Sequence, residues 1–399
     1  MRAGDEQRGQ PAGREPRPHG RRADHAAGFR NVVSRQPGRD LRAAAARLAS
    51  LVPARGSAGD GAGPLSRGGN GASGRGGADV GAFGRAGGEG GGAGSRPGFG
   101  FDREVAPGGY AWWYVDAFSD DGRFGLTIIA FIGSVFSPYY AWTGWRDPLD
   151  HCAVNVALYG PRGARWAMTE RRRAAVAREP DALRIGPSAM SWDGRRLTIK
   201  IDERTAPLPR RVRGKVVLEP EAWNERAFTL SERGAHVWRP IAPFARVRVE
   251  FSEPDVAWSG AGYLDFNQGD APLERDFRRW TWSRARLADG AAIFYEAERR
   301  DQPPLEMSLR FGRDGAVREA SAPPKAQLPT TLWRVQRETR SEADAKVTAT
   351  FEDSPFYARS AVAHRLDGED AVSMHESLDL DRFSNTIVRA MLPFRMPRW

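Results

Sequence analysis

Residues 107–142 read PGGYAWWYVDAFSDDGRFGLTIIAFIGSVFSPYYAW, and this stretch decides the fold. The aromatic run Trp112-Trp113-Tyr114 leads into Asp121-Gly122, a dipeptide that accepts the positive φ of a tight hairpin turn. Beyond the turn, Leu126 to Trp142 is strongly apolar, but it is short for a membrane span and is interrupted by Gly133, Ser137 and Pro138. It reads as a buried strand followed by a turn. The same grammar recurs downstream. Alternation of apolar and polar residues marks Leu197 to Asp202 (LTIKID), Arg246 to Phe251 (RVRVEF) and Leu305 to Phe311 (LEMSLRF) as half-buried strands. Further Asp-Gly pairs stand at Asp193-Gly194, Asp289-Gly290 and Asp314-Gly315. Helical pattern is confined to about Thr169 to Arg178 and the C-terminus, so the fold class is all-β.

An internal echo points to two similar halves. Trp112-Trp113-Tyr114 followed by Asp121-Gly122 matches Trp280-Thr281-Trp282 followed by Asp289-Gly290 at a constant offset of 168 residues. Two β-domains that open on equivalent hairpins account for it, with a boundary near Glu274 to Phe277. At the end of the chain, Phe383, Ile387, Val388, Met391 and Leu392 fall on one face of a helix drawn through Asp381 to Trp399, with Arg389, Arg395 and Arg398 nearby. Such a helix either lies in the interface of a bilayer or closes the end of a barrel.

Composition sets the outer limits. The chain has 399 residues, a hydrophobic fraction of 40% and a formal charge of +10, enough length and apolar content for two cored domains. Most of the charge is local, because residues 1–99 hold 16 Arg against eight Asp and Glu and so leave a net of +2 for the rest. That first stretch is Gly, Ala, Arg and Pro with few large apolar residues. It cannot bury enough surface to offset its ordering entropy, and residues 1–99 are expected to be a disordered extension or the product of a start codon placed too far upstream. Only Arg42 to Leu51 has the look of a short helix. An Arg/Gly tail with almost no aromatics to stack on bases does not argue for a nucleic-acid partner. The single cysteine, Cys152, excludes an intrachain disulfide framework, and no secretory pattern precedes it, so a cytoplasmic location is expected. His151, His236, His364 and His375 have no recognisable ligand spacing, and no metal or other cofactor is expected.

The candidate chemistry lies in two nearby segments, His236-Val237-Trp238 and Tyr263-Leu264-Asp265. If both are strands, the first and third residues of each point to one face. A carboxyl group held among aromatic rings tends to keep its proton and to act as a general acid, and aromatic faces stabilise a cation formed by that protonation. Taken on spacing alone, Trp238 and Tyr263 are as readily core aromatics, and His236 a satisfied core histidine.

The stretch quoted at the outset, followed by DHCAVNVALYG (150–160), RWAMTE (165–170), PLPRRVRG (207–214), HVWRPIAP (236–243), GYLDFNQGDAPLE (262–274) and PFYARS (355–360), resembles the carotenoid 1,2-hydratases, or hydroxyneurosporene synthases. The resemblance covers about Phe101 to Trp399, and the segment before it is expected to lack a counterpart. It implies two lipocalin-like β-barrel or sandwich domains, 100–275 and 276–399. It implies a hydro-lyase that adds water, without a cofactor, to the terminal carbon–carbon double bond of an acyclic carotenoid such as neurosporene or lycopene. The implied catalytic residues are Asp265 as proton donor, His236 to orient Asp265 or hold the water, and Trp238 and Tyr263 to face the cation. Peripheral contact with the inner, photosynthetic membrane is implied as well. Phe266 and Gln268 depart from the family pattern, a difference expected to bear on pocket shape or substrate preference, and through them on activity. A non-catalytic lipocalin-like carrier of a hydrophobic ligand, and an isomerase or cyclase on the same fold, remain alternative readings.

Overall fold

The computed structural model describes residues 99–161 and 163–399; the expected N-terminal extension, apart from Phe99, and its Arg42–Leu51 helix lie outside the described residues. The first sheet is built from β1 (Tyr110–Ser119), β2 (Gly125–Ile132), β3 (Cys152–Tyr159), β4 (Arg165–Arg171), β5 (Val176–Glu179), β6 (Ala182–Ile185), β7 (Ser188–Trp192), β8 (Leu197–Arg204), β9 (Arg211–Pro220), β10 (Phe228–Thr229), β11 (His236–Glu253) and β12 (Asp255–Gly269). Its order is β4-β3-β2-β1-β12-β11-β9-β8-β7-β6-β5, with β10 paired to β11. The second sheet uses β13 (Phe277–Arg286), β14 (Gly290–Arg299), β15 (Leu305–Gly312), β16 (Val317–Glu319), β19 (Lys346–Asp353), β20 (Tyr357–Leu366) and β21 (Glu369–Asp379), in the order β16-β15-β14-β13-β21-β20-β19. A separate hairpin joins β17 (Lys325–Leu328) to β18 (Arg337–Arg340). The described residues also include four short α-helices, α1 (Pro138–Trp142), α2 (Leu273–Asp276), α3 (Leu380–Phe383) and α4 (Thr386–Met391), and three 3₁₀ turns.

All pairings within the sheets are antiparallel, as short turns between consecutive strands dictate. Three of the four Asp-Gly pairs sit in turns between β1 and β2, β7 and β8, and β15 and β16, and Asp289-Gly290 spans the end of the turn into β14, whose first residue is Gly290. Gly122, Gly194 and Gly315 take the positive φ that selects glycine there. The all-β expectation holds, and two local expectations need correction. Thr169 to Arg178 is the end of β4, one 3₁₀ turn and the start of β5; the Arg-rich run has helical spacing, but Glu170 and Arg171 are pinned as ladder partners of Ala153 and Cys152. The C-terminal segment is not one amphipathic helix. It breaks at Ser384-Asn385, where Asn385 caps α4 by accepting from the Ile387 N–H, so Phe383 is buried while Ile387 is exposed.

Alternation along β1 separates two cores. Trp113, Val115 and Ala117 point into the curled first sheet, where they meet Ile128, Leu197, Val216, Val247 and Leu264. Trp112 and Tyr114 point the other way, into a second core shared with Trp280, Trp282, Ile293, Tyr295 and Met374 of the opposite sheet. The offset of 168 residues acquires a physical meaning at this junction. Trp112 lies 6.3 Å from Trp280 and Tyr114 lies 5.4 Å from Trp282, ring centre to ring centre, and Asp116 accepts a hydrogen bond from the Arg284 guanidinium in a buried ion pair. Three successive inward positions of β1 thus meet their counterparts on β13.

The correspondence extends one strand further. In each sheet the opening strand pairs with the strand that ends the unit, and Tyr114 stands opposite Asp265 on β12 as Trp282 stands opposite Glu376 on β21. Asp265 and Glu376 therefore occupy equivalent positions.

Candidate active site

Asp265 is buried at the junction between the sheets. Its Oδ2 accepts hydrogen bonds from the Trp238 indole N–H at 2.9 Å and the Tyr263 hydroxyl at 3.0 Å, and its Oδ1 accepts from the Asn267 amide at 3.1 Å. Strand alternation explains the convergence: Tyr263, Asp265 and Asn267 are every second residue of β12, and Trp238 lies opposite Asn267 on β11. Every one of these donors is neutral. Burial raises the Asp265 carboxyl well above its ordinary range, the Trp238 and Tyr263 donors pull it back only in part, and the nearby charges of Glu376 and Asp116 raise it further. Burial thus favours the protonated form, and the same three donors would hold its conjugate base.

A small cavity of about 30 Å³ opens beside it, lined by Trp112, Tyr114, Asp265, Asn267, Trp280, Trp282, Tyr295 and Glu376. About 10–15 Å³ suffices for one water, so the space suits a water or the tip of a ligand. An adjoining cavity of about 110 Å³ shares Trp112, Tyr114, Trp280 and Glu376 as walls and runs past Phe131, Phe136, Trp166 and Phe356 to Leu392, Arg395 and Met396 near the C-terminus. Together they form an aromatic crevice with an acid at its inner end. It would hold the end of a branched hydrocarbon but not a whole polyene.

Of the residues singled out from sequence, three converge and one stands apart. Trp238 and Tyr263 both touch Asp265, yet neither lines the small cavity; they act on the carboxyl through their polar hydrogens, from behind. The rings that face the cavity are Trp112, Tyr114, Trp280, Trp282 and Tyr295, and the echoed aromatic hairpins were the sequence signal for four of these five. His236 does not bond Asp265. Its Nδ1 meets the Tyr110 hydroxyl at 2.9 Å and its Nε2 the Asp276 carboxylate at 2.7 Å. Burial lowers its basicity against the pull of Asp276, so the neutral ring donates to Asp276 and accepts from Tyr110. Tyr110 in turn stacks on Trp112 at 4.8 Å, which places His236 behind a cavity wall. Phe266 and Gln268 also point away from the cavity. Phe266 packs on Trp113 inside the first sheet under the Arg103 guanidinium, and Gln268 accepts from Arg103. The expected change in pocket shape is thus corrected: β-strand alternation turns both side chains to the other face.

Glu376 and its partner Arg359 were not anticipated. Glu376 Oε1 accepts from the Tyr114 hydroxyl and from Arg359 Nε, each at 2.9 Å. Arg359, itself fully buried, also binds Glu352 and the Tyr159 hydroxyl. No helix among the described residues is long and apolar enough to cross a membrane.

A sequence model of the family described as Carotenoid hydratase CrtC matches residues 128–399. The chain is 50% identical over 364 residues to an acyclic carotenoid 1,2-hydratase of Thiocapsa roseopersicina, covering 90% of this chain and 89% of that one. It is 51% identical over 306 residues to one of Rubrivivax gelatinosus, covering 75% of each chain. Residues 99–399 are about three quarters of this chain, so the Thiocapsa match reaches into the first 98 residues, and the expectation that this segment lacks a counterpart is corrected. Among solved structures, kievitone hydratase from Nectria haematococca is similar with a TM-score of 0.46 at 7% identity, covering 72% of this chain and 94% of that chain.

Proposed function

This chain belongs to the carotenoid hydratase family, and on that premise we propose that it is a hydro-lyase that adds water across the terminal C1–C2 double bond of an acyclic carotenoid such as neurosporene or lycopene. The observation that carries the mechanism is Asp265: a buried acid at a cavity wall, bonded only by neutral donors. A trisubstituted alkene is a very weak base, so it needs a strong acid held in line with its π-bond. Asp265 gives its proton to C2, the less substituted carbon. The π-bond breaks toward that proton and leaves a tertiary cation at C1. Trp238 and Tyr263 stabilise the carboxylate left behind, while the rings of Trp112, Tyr114, Trp280, Trp282 and Tyr295 surround the cation, each ring contributing on the order of 0.5–2 kcal/mol. Water then bonds to C1 and a tertiary alcohol results. His236 serves by fixing Tyr110 and, through it, Trp112.

We assign the two sheets to domains at 100–275 and 276–399, with the active site at their junction. The size of the crevice supports a substrate that inserts one end and leaves the rest outside. Around its outer end, Trp142, Ile387, Phe394 and Trp399 are exposed, between 50% and 74%, and α1 is tied to the C-terminus by the Tyr139 hydroxyl on the Met396 carbonyl. This rim would dip into a bilayer surface and take the carotenoid from it, consistent with a cytoplasmic, peripherally bound enzyme.

Purified protein, liposomes and lycopene incubated in oxygen-18 water test the reading. A labelled 1-hydroxy product that disappears in Asp265→Asn supports it. Lycopene binding with no product supports the carrier reading instead.

A further inference from the structure

The acid step leaves open which group holds the water and removes its proton. His236 is excluded by position, since both ring nitrogens are engaged behind the cavity wall. One other carboxylate reaches the small cavity, from the opposite sheet. Its Oε1 is held by Tyr114 and Arg359, and its Oε2 takes no hydrogen bond among the described residues. Arg359 orients this side chain through a buried ion pair, and Glu352 and Tyr159 fix Arg359 in turn. A carboxyl group oriented by a guanidinium and a tyrosine, with one free oxygen across a water-sized space from Asp265, has the layout of a base facing its acid.

We propose that Glu376 is a catalytic residue that holds the attacking water through Oε2 and takes its proton, with Arg359 and Tyr114 as positioning residues. The assignment rests on the hydration reading above. In the forward step the Asp265 O–H bond breaks, a C2–H bond forms and the cation appears at C1. The water oxygen then bonds to C1 as its proton passes to Glu376. At this point Asp265 is the carboxylate and Glu376 the acid. A proton relayed from Glu376 to Asp265 through the next water restores both, so no oxidant, reductant or co-reactant is consumed. The negative charge of Glu376 also faces the cation before capture, adding to the rings around it.

The test compares wild type, Glu376→Gln, Tyr114→Phe and Asp265→Asn on lycopene in liposomes, with and without azide, a nucleophile that has no proton to lose. Glu376→Gln should fold, because Arg359 retains Glu352. It should form alcohol at least about 100-fold more slowly, while azide restores turnover as the tertiary azide; Asp265→Asn should give neither product. Tyr114→Phe, which leaves the ring and loosens Glu376, should lose alcohol formation several-fold and respond to azide in the same sense. Alcohol formation by Glu376→Gln within threefold of wild type overturns the proposal. So does a folded Glu376→Gln that captures neither water nor azide, and, if that variant fails to fold, a Tyr114→Phe enzyme that azide leaves unimproved. Failure of the hydration reading looks different, since wild type itself would then make no alcohol.

Discussion

Asp265 and Glu376 stand at the same register position of two similar sheets, one opposite Tyr114 and the other opposite Trp282, yet their surroundings set them apart. Glu376 has Arg359 directly beside it, because β20 and β21 run in unbroken register and pair those two residues. In the first sheet the register of β11 against β12 shifts between Arg239 and Ala242. The irregularity falls where a counterpart of Arg359 would stand. Arg239 turns to the other face, over the Phe266 ring, and Asp265 is left with Trp238, Tyr263 and Asn267. One backbone irregularity thus separates a buried carboxyl that has a guanidinium beside it from one that has only neutral donors. The general lesson is that a bulge can set protonation by withholding a partner rather than by supplying one.

The comparison is broken most severely by removing the acid. Asp265→Asn keeps size and most hydrogen bonds but has no proton of comparable acidity, and hydration should fall by about 10²–10⁴-fold with lycopene binding retained. Wild-type activity should be lost on the alkaline side, as pH rises through the raised pKa of Asp265; a profile that instead falls only on the acid side would contradict a protonated Asp265.

Removing the cation from the other acid tests its structural half. Arg359→Met leaves Glu352 and Glu376 buried without their counter-charge, a situation that costs about 3–5 kcal/mol. Urea unfolding should report a loss of that size. A loss below about 1 kcal/mol would mean that water already screens the cluster.

Trp238→Phe sharpens the distinction between packing and hydrogen bonding. The sequence reading sets the Trp238 ring against the cation, and on that reading phenylalanine is a mild change. The structure reverses this: the indole N–H on Asp265 is what phenylalanine removes, and a hydrogen bond to a charged group contributes about 1.5–3 kcal/mol. Hydration should drop about 10- to 100-fold with little change in Tm. If Trp238→Ala is far worse than Trp238→Phe while both stay folded, packing of the ring against Phe228 and Tyr295 matters more than the bond.

What the sequence revealed follows from the range of each signal. Asp-Gly turns and alternating strands are local, and they read correctly. The 168-residue echo was also visible, because the facing residues of β1 and β13 are similar in kind, as Trp112 and Trp280 illustrate. Glu376 and Arg359 escaped notice, although PFYARS (355–360) contains the arginine, since Glu376 lies 111 positions beyond Asp265 and only sheet registers bring both to one cavity. His236 was misplaced for a related reason. Its alternation with Trp238 was read as one face, correctly, but two residues along a strand span about 7 Å, enough to put His236 over Tyr110 instead of Asp265. The C-terminal helix was overdrawn because a helical wheel ignores caps, and Asn385 starts a new helix in mid-pattern.

The smallest expected effect is on stability, and its sign follows from the raised pKa of Asp265. A carboxyl whose pKa is raised by folding binds more protons in the native than in the unfolded state, so stability falls as pH climbs from the unfolded pKa, about 4, toward the folded one. Asp265 is such a group, and the slope for one proton is at most about 1.4 kcal/mol per pH unit. Asp116 adds to it in the same direction, since burial raises its pKa despite Arg284. Asp265→Asn removes only the Asp265 part, so the variant should match wild type near pH 4 and become progressively more stable than it toward neutrality, by urea unfolding across that window. A constant difference at every pH would mean that Asp265 has the same proton affinity folded and unfolded, and its role as a neutral acid would lose its basis. A gain in stability alongside the loss of hydration would identify the missing cation beside Asp265 as a sacrifice of stability for catalysis.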